Sequence, residues 1–352
     1  MAHTRSLPSL HFVFPGDINT RTGGYRYDKR IMEELGKLGW AVRPVSLTGD
    51  FPFPDDKTIA EANKTLTTIQ DGSLVLVDGL AFSALPELIR RHHKRLRLIA
   101  LIHHPLALET GLNKDQKLQL AASEKQALSY VDRIITTSSS TAITLENYEV
   151  NSKYIVAVPP GTDLGSVTSP SGHECINLLC VATLTPRKGH ALLFEALADL
   201  QGHTWHMICA GSIQRDADTY TKLVQQLEDT GLSDRVSLVG ELDDQQLDSQ
   251  YRRADVFVLA SHHEGYGMVL DEAIAYGLPI VCTDAGAMKE TVPKNAALVV
   301  PANDKKSLAD ALENIVTNKV LRDNLTHQSF LARNELRSWK QAGREFDLAL
   351  KQ

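Results

Sequence analysis

The chain has 352 residues, 43% hydrophobic and 23% charged, which is the composition of a soluble globular protein and a length that suits two domains of ordinary size. A formal net charge of -6 and a pI near 6.1 argue against a nucleic-acid binder, which usually carries a basic face, so no nucleic-acid partner is expected. Four dispersed cysteines, Cys175, Cys180, Cys209 and Cys282, have no CxxC spacing and read as free thiols. No leader-like segment opens the chain, and no apolar run nears the roughly 18 residues that span a bilayer, so a cytoplasmic protein without a transmembrane segment is expected.

Residues 10–15 read as a buried strand, 16–25 as a polar loop carrying Gly23 and Gly24, and 27–38 as an amphipathic helix. This corner suits a phosphate, yet Thr-Gly-Gly-Tyr lacks the GxGxxG spacing of a dinucleotide site. Strands follow at 41–46, 74–78 and 96–102, separated by a Pro/Asp-rich connection, a short helix and a helix at 87–94. Such alternation predicts a mostly parallel sheet. His103 and His104 come directly after the strand at 96–102, at the carboxyl end where open α/β sheets bind ligands. Histidines are also paired at 92–93 and 262–263, with no cysteine or carboxylate at ligand spacing, so no metal site is read. A helix at 114–130, a strand at 132–137, a helix at 141–148 capped by Ser138–Ser140, and a strand from 154 complete this half. Residues 165–174, rich in Ser, Gly and Thr, read as an interdomain linker.

The second half repeats the alternation, with strands at 175–182, 205–210, 235–240, 255–260, 279–283 and 296–300. Arg187 and Lys188 stand in the turn between the first of these strands and the helix at 191–200. A planar fork and a compact cation beside a helix N-terminus suit phosphate oxygens. Glu241 and Leu242 follow the strand at 235–240. After the strand at 255–260 comes a glycine-broken loop with Glu264, Gly265 and Gly267, then a helix from Met268 to Tyr276 carrying Glu272. Two glutamates at this spacing are commonplace on surface helices, and by themselves they prove little. In the tail, Trp339, Ala342, Phe346 and Ala349 recur at helical spacing and predict a helix packed on protein.

The full string Glu264-Gly-Tyr-Gly-Met-Val-Leu-Asp-Glu-Ala-Ile-Ala-Tyr-Gly-Leu-Pro-Ile-Val is more specific. It resembles the C-terminal signature of family-4 glycosyltransferases, retaining enzymes of the GT-B fold, with Tyr266 in the place of the family's Phe. The stretch Ala182 to Gly189 resembles the family's Gly-Arg-x-x-x-x-Lys-Gly motif imperfectly. Lys188 matches the lysine, Ala182 and Thr183 occupy the Gly-Arg places, and Arg187 is the candidate for the missing arginine.

The resemblance implies an α/β protein with two facing Rossmann-like domains with parallel sheets, and a C-terminal helix crossing back to the N-terminal domain. The expected domains are 1–165 on the acceptor side, 173–335 holding the donor, and the helix at 336–352. It further implies transfer of a hexose from a nucleotide-sugar donor, UDP-glucose first and GDP-mannose second. The acceptor is unidentified: a saccharide, a lipid-linked sugar or a small molecule. By the same resemblance, Gly23, Gly24, Arg187, Lys188, Gly267, Met268 and Val269 meet the donor diphosphate. Glu272 meets the ribose, and the loop at Glu241 and Leu242 meets the base. Glu264 and either His103 or His104 attend the reacting sugar. Neither a metal nor a cofactor is required on this reading, since cationic side chains meet the phosphate charge. Two other classes share the fold: a nucleotide-sugar 2-epimerase, for whose extra acid/base carboxylates no motif is seen, and a non-catalytic nucleotide-sugar-binding protein.

Overall fold

The computed structural model describes residues 7–167 and 174–352. Of the stretch read as a linker, residues 168–173 lie outside the described residues. The chain divides into two units, Met1–Gly161 with Arg337–Gln352, and Thr162–Leu336.

The first unit is built on β1 (Ser9–Pro15), β2 (Ala41–Leu47), β3 (Leu74–Asp78), β4 (Arg97–Ile102), β5 (Ile134–Thr136) and β6 (Ile155–Ala157). They form one parallel sheet in the order β2-β1-β3-β4-β5-β6. Both faces are covered, so β3 and the end of β4 are continuous apolar runs in place of an alternation. The strand order turns back between β1 and β3, and such a reversal opens a crevice at the carboxyl ends of the strands.

The helix after β1 begins earlier than its sequence suggests, spanning Gly23–Lys37. Gly23 and Gly24 are therefore its first turn and not a loop. The cause is Thr22, whose Oγ1 accepts the Tyr25 amide at 3.1 Å and supplies the N-cap. Tyr27, Ile31 and Leu35 bury one face of this helix. Residues 79–84 form a short helix, Gly79–Ala84, capped by Asp78 through the Leu80 amide at 3.0 Å.

The tail helix, Trp339–Lys351, completes this unit, with Trp339, Ala342, Phe346 and Ala349 all buried. It runs against the helix Gly23–Lys37, where Gly343 leaves room for Glu34 and a Cβ would collide with it. The Trp40 indole donates to Asp347 at 2.7 Å. Full burial of a side chain such as Phe346 contributes roughly 1.5–3 kcal/mol, which explains why the apolar stripe settles the helix here.

The second unit is built on β7 (Ile176–Val181), β8 (Trp205–Ala210), β9 (Val236–Gly240), β10 (Val256–Leu259), β11 (Ile280–Thr283) and β12 (Ala297–Val300). This sheet is also parallel, in the order β12-β11-β10-β7-β8-β9, and it turns back between β7 and β10. Its core includes Phe194, Met207, Phe257 and Ile280. The four cysteines are free thiols, three of them buried. Among the described residues no helix is long and apolar enough to cross a membrane.

Candidate functional site

In the second unit the reversal brings two loops together that are far apart in sequence. After β7 the chain makes a 3-10 turn, Pro186–Lys188, and enters the helix His190–Ala198 through Gly189. Gly189 has φ +68°, and a Cβ there would overlap the Ala260 carbonyl, so glycine is required on both counts. The close approach seats the turn against the loop after β10, and His262 donates its amide to the Arg187 carbonyl at 2.8 Å.

Glu264 occupies the centre of this junction. Lys188 Nζ lies 2.6 Å from its Oε1, and Arg187 Nη1 lies 3.3 Å from its Oε2. The Ser261 hydroxyl donates to Oε1 at 2.6 Å, while Arg187 also donates to the His263 carbonyl at 2.9 Å. Burial opposes the Glu264 charge, but Lys188 and Arg187 outweigh it and pull the carboxyl down to about 2. Burial also draws Lys188 below its usual value, against the attraction of Glu264. The two shifts pull the pair in opposite directions. The 2.6 Å contact, with Arg187 and Ser261 also donating to the same carboxylate, favours the ionised pair. Two cations around one carboxylate leave one net positive charge.

The loop then enters the helix Met268–Ala275 through Gly267, at φ +91°, and no side chain caps that helix. Uncapped first-turn amides, those of Met268 and Val269 here, favour an anion. Glu272, one turn further on, is buried and accepts the Tyr251 hydroxyl at 2.9 Å. Tyr251 is in turn stacked between Phe257 and Tyr276. Glu241 and Leu242 follow β9, which is separated from β7 by β8. They share the carboxyl edge of the sheet with the Glu264 loop.

The first unit holds a second cluster at its own reversal. His103, just after β4, points Nε2 at Asp28 Oδ1 (3.0 Å) and Asp78 Oδ2 (3.4 Å). Asp28 comes from the helix after β1 and Asp78 ends β3, and both are buried. The ligand-capable atoms of these three side chains lie within 4.8 Å of one another, a spacing that a shared imidazole proton accounts for. Gly24 sits over the ring, its absent Cβ 3.4 Å from His103 Cδ2. His104 turns elsewhere and meets Glu109 at 3.2 Å. The two histidines that the sequence leaves equivalent thus have different surroundings. Asp28, Asp78, Ser261 and Tyr251 are missed by the sequence reading. A carboxylate inside the apolar stripe of Tyr27, Ile31 and Leu35, and one ending a wholly buried strand, are the signals that could have found the first two.

Residues 170–330 match the family described as Glycosyl transferases group 1. Among curated relatives, mannosylfructose-phosphate synthase of Agrobacterium fabrum is 30% identical over 193 residues, 50% of this chain and 42% of that protein. D-inositol 3-phosphate glycosyltransferase of Corynebacterium jeikeium is 28% identical over 208 residues, 54% of this chain and 50% of that one. The chain therefore spans about half the length of the curated relatives it matches. Solved structures align along nearly the whole chain. Sucrose-phosphate synthase from Thermosynechococcus elongatus has a TM-score of 0.82 at 17% identity, covering 97% of this chain and 98% of its own. Anabaena HepE in complex with UDP-glucose has a TM-score of 0.76 at 15% identity, covering 97% and 99%.

Proposed function

We propose that this chain, whose residues 170–330 match the Glycosyl transferases group 1 family and whose fold is GT-B, is a transferase of that family that moves a hexose from a nucleotide-diphospho-sugar to an acceptor hydroxyl, with retention of anomeric configuration and without a metal. One observation carries the reading: the net positive Arg187–Lys188–Glu264 cluster stands at a sheet reversal, on the loop that enters the uncapped helix Met268–Ala275.

The chemistry follows from where charge develops. As the bond between anomeric carbon and phosphate oxygen breaks, the electron pair leaves with the diphosphate and the sugar becomes cation-like. Lys188, Arg187 and the Met268 and Val269 amides stabilise the departing phosphate, more strongly in the transition state than before it. The acceptor oxygen forms the new bond on the face the phosphate leaves, and its proton passes to a phosphate oxygen. Glu264 orients the sugar hydroxyls while holding both cations in place. Glu272 receives the ribose hydroxyls, and the backbone around Glu241 and Leu242 reads the base. In the first unit Gly23 and Gly24 offer helix amides to the diphosphate, and His103 hydrogen-bonds the transferred sugar. His104, tied to Glu109, has the weaker claim to that role.

UDP-glucose is the first choice of donor, supported by the UDP-glucose complex of HepE. GDP-mannose is the second, supported by a relative named as a mannosyltransferase, the MMP alpha-(1->4)-mannosyltransferase of Mycolicibacterium hassiacum. We place the reaction in the cytoplasm, with a saccharide, a lipid-linked sugar or a small molecule as acceptor. A thermal-shift panel of UDP, GDP, ADP and their sugar conjugates in excess chelator tests the reading. Ligand at about 100 Kd that binds only the folded state adds about 2.7 kcal/mol. Stabilisation by GDP compounds alone would replace the first choice, and no stabilisation by any of them would overturn the nucleotide-sugar reading. Transfer that fails in chelator and returns with magnesium or manganese would overturn metal independence.

A further inference from the structure

The His103 cluster contains more than a histidine near a ligand edge. Both carboxylates address the same ring nitrogen, Nε2. Nδ1 has no hydrogen-bond partner among the described residues, and the side chain keeps 19% of its surface. The ring is fixed from several sides. The helix Gly23–Lys37 contributes Asp28 and Tyr27, whose ring stands edge-on to the imidazole at 5.4 Å. The Tyr27 hydroxyl is committed to the Val158 carbonyl at 2.8 Å. The end of β3 contributes Asp78, and the segment after β5 contributes Thr137, which donates to the His103 carbonyl at 3.1 Å. Beyond Tyr27, Arg337 and Glu345 of the tail neutralise one another at 2.7 Å. His104 is occupied with Glu109. Among the described residues, the charges directly on the ring are thus two buried carboxylates, and Asp28 Oδ2 has no hydrogen-bond partner there.

We propose that Asp28 and Asp78 are positioning residues for His103: they anchor Nε2 and keep the ring an imidazolium, so that Nδ1 presents an N–H donor and not a lone pair. The inference rests on the reading of His103 as a group that touches the transferred sugar, and it deepens that reading. A ring held this way recognises an oxygen acceptor, whether a sugar hydroxyl or a phosphate oxygen, and cannot serve as the base that deprotonates the nucleophile. The electrostatics agree in direction. Burial works against the His103 proton, but Asp28 and Asp78 prevail and push the ring up to about 10. Burial lifts Asp28 to about 6, with His103 drawing it down and Asp78 pushing it up.

The test is an NMR titration of the full chain carrying 15N-labelled histidine, with His103→Gln assigning the resonance. Both ring nitrogens should remain protonated through about pH 8, well above the usual histidine midpoint near 6.5. Asp28→Asn keeps the shape and removes the nearer charge, so the midpoint should fall by about 1–3 units. Asp78→Asn, which removes the more distant one, should lower it less. A wild-type ring that is neutral at about pH 8, a midpoint that Asp28→Asn leaves in place, or a divalent ion retained at the cluster in elemental analysis would overturn the proposal. The pH profile of kcat supplies a readout that a merely structural role would not move: Asp28→Asn should bring its basic limb to lower pH, and an unmoved limb counts against the proposal. If no nucleotide-sugar is turned over, the transferase reading fails, while the titration still decides this one.

Discussion

Each sheet reverses its strand order once, and each reversal holds a buried ionic triad, but the two triads have opposite sense. In the second unit two cations clasp a carboxylate; in the first, two carboxylates clasp an imidazole. The same topology therefore supplies a place, and the side chains supply its sign. One net positive charge beside uncapped helix amides suits the diphosphate proposed for it. The triad around His103 carries one net negative charge and, on the proposed reading, acts through the single N–H it presents. Burial matters equally to both, because in low dielectric a small imbalance of charge is felt strongly.

The largest effect should come from removing the surplus cation. Lys188→Ala leaves Glu264 with Arg187 as its one cation and, on the proposed reading, takes away a charge that faces the departing phosphate. We expect kcat/KM to fall by about 10²–10³-fold, as when a single transition-state donor is lost. Steady-state release of the nucleoside diphosphate measures this, and a loss below about threefold would break the contrast between the two triads. Thermal denaturation read in parallel separates lost chemistry from lost folding, since breaking a buried pair is itself destabilising.

The second test uses acid. Glu264 has its folded value pulled from 4.5 to about 2, so its charge stabilises the fold above its unfolded value and loses that contribution as pH falls from 4.5 toward 2. A shift of that size corresponds to something on the order of 3 kcal/mol. Glu264→Gln should therefore flatten the dependence of Tm on pH in that window. His103 has the opposite sign: its raised value means stability complete below 6.5 and lost as pH rises toward about 10. Curves of Tm against pH that are superimposable for wild type and Glu264→Gln would sink the acid half of the comparison.

The smallest effect is expected at Glu272, which belongs to neither triad. If Glu272 receives the ribose hydroxyls as proposed, Glu272→Ala removes hydrogen bonds made alike in ground and transition states, so the donor KM should rise about 5–20-fold with kcat nearly unchanged. A drop in kcat as large as that of Lys188→Ala would instead tie Glu272 to the reacting centre.

How much of this was legible beforehand depends on how local each signal is. The strands, the uncapped helix after Gly267 and the match of Lys188 and Glu264 to a known pattern are written in short stretches of chain. The clasp between them is not, because it needs β7 and β10 to be neighbours, and β8 and β9 intervene in sequence. Asp28 escaped for a related reason: a polar residue beside Tyr27 looks like helix surface until β3 and β4 bring Asp78 and His103 to it. Gly23 and Gly24 were placed on a loop because glycine is a poor helix former, whereas the cap at Thr22 decides the boundary. His103 and His104 could not be told apart, since the strand alternation that would assign their directions ends at Ile102.

The tail helix has a consequence for how the molecule is made. Tyr27, which braces the His103 ring, is itself braced by Trp339 and Phe346. These residues belong to the first unit, yet they are synthesised after every residue of the second. As the chain emerges from the ribosome, the second unit can close around a complete core as soon as its own residues are out. The first must wait with an open seam along the helix Gly23–Lys37, and the wall behind His103 closes only once the tail helix has followed the second unit out.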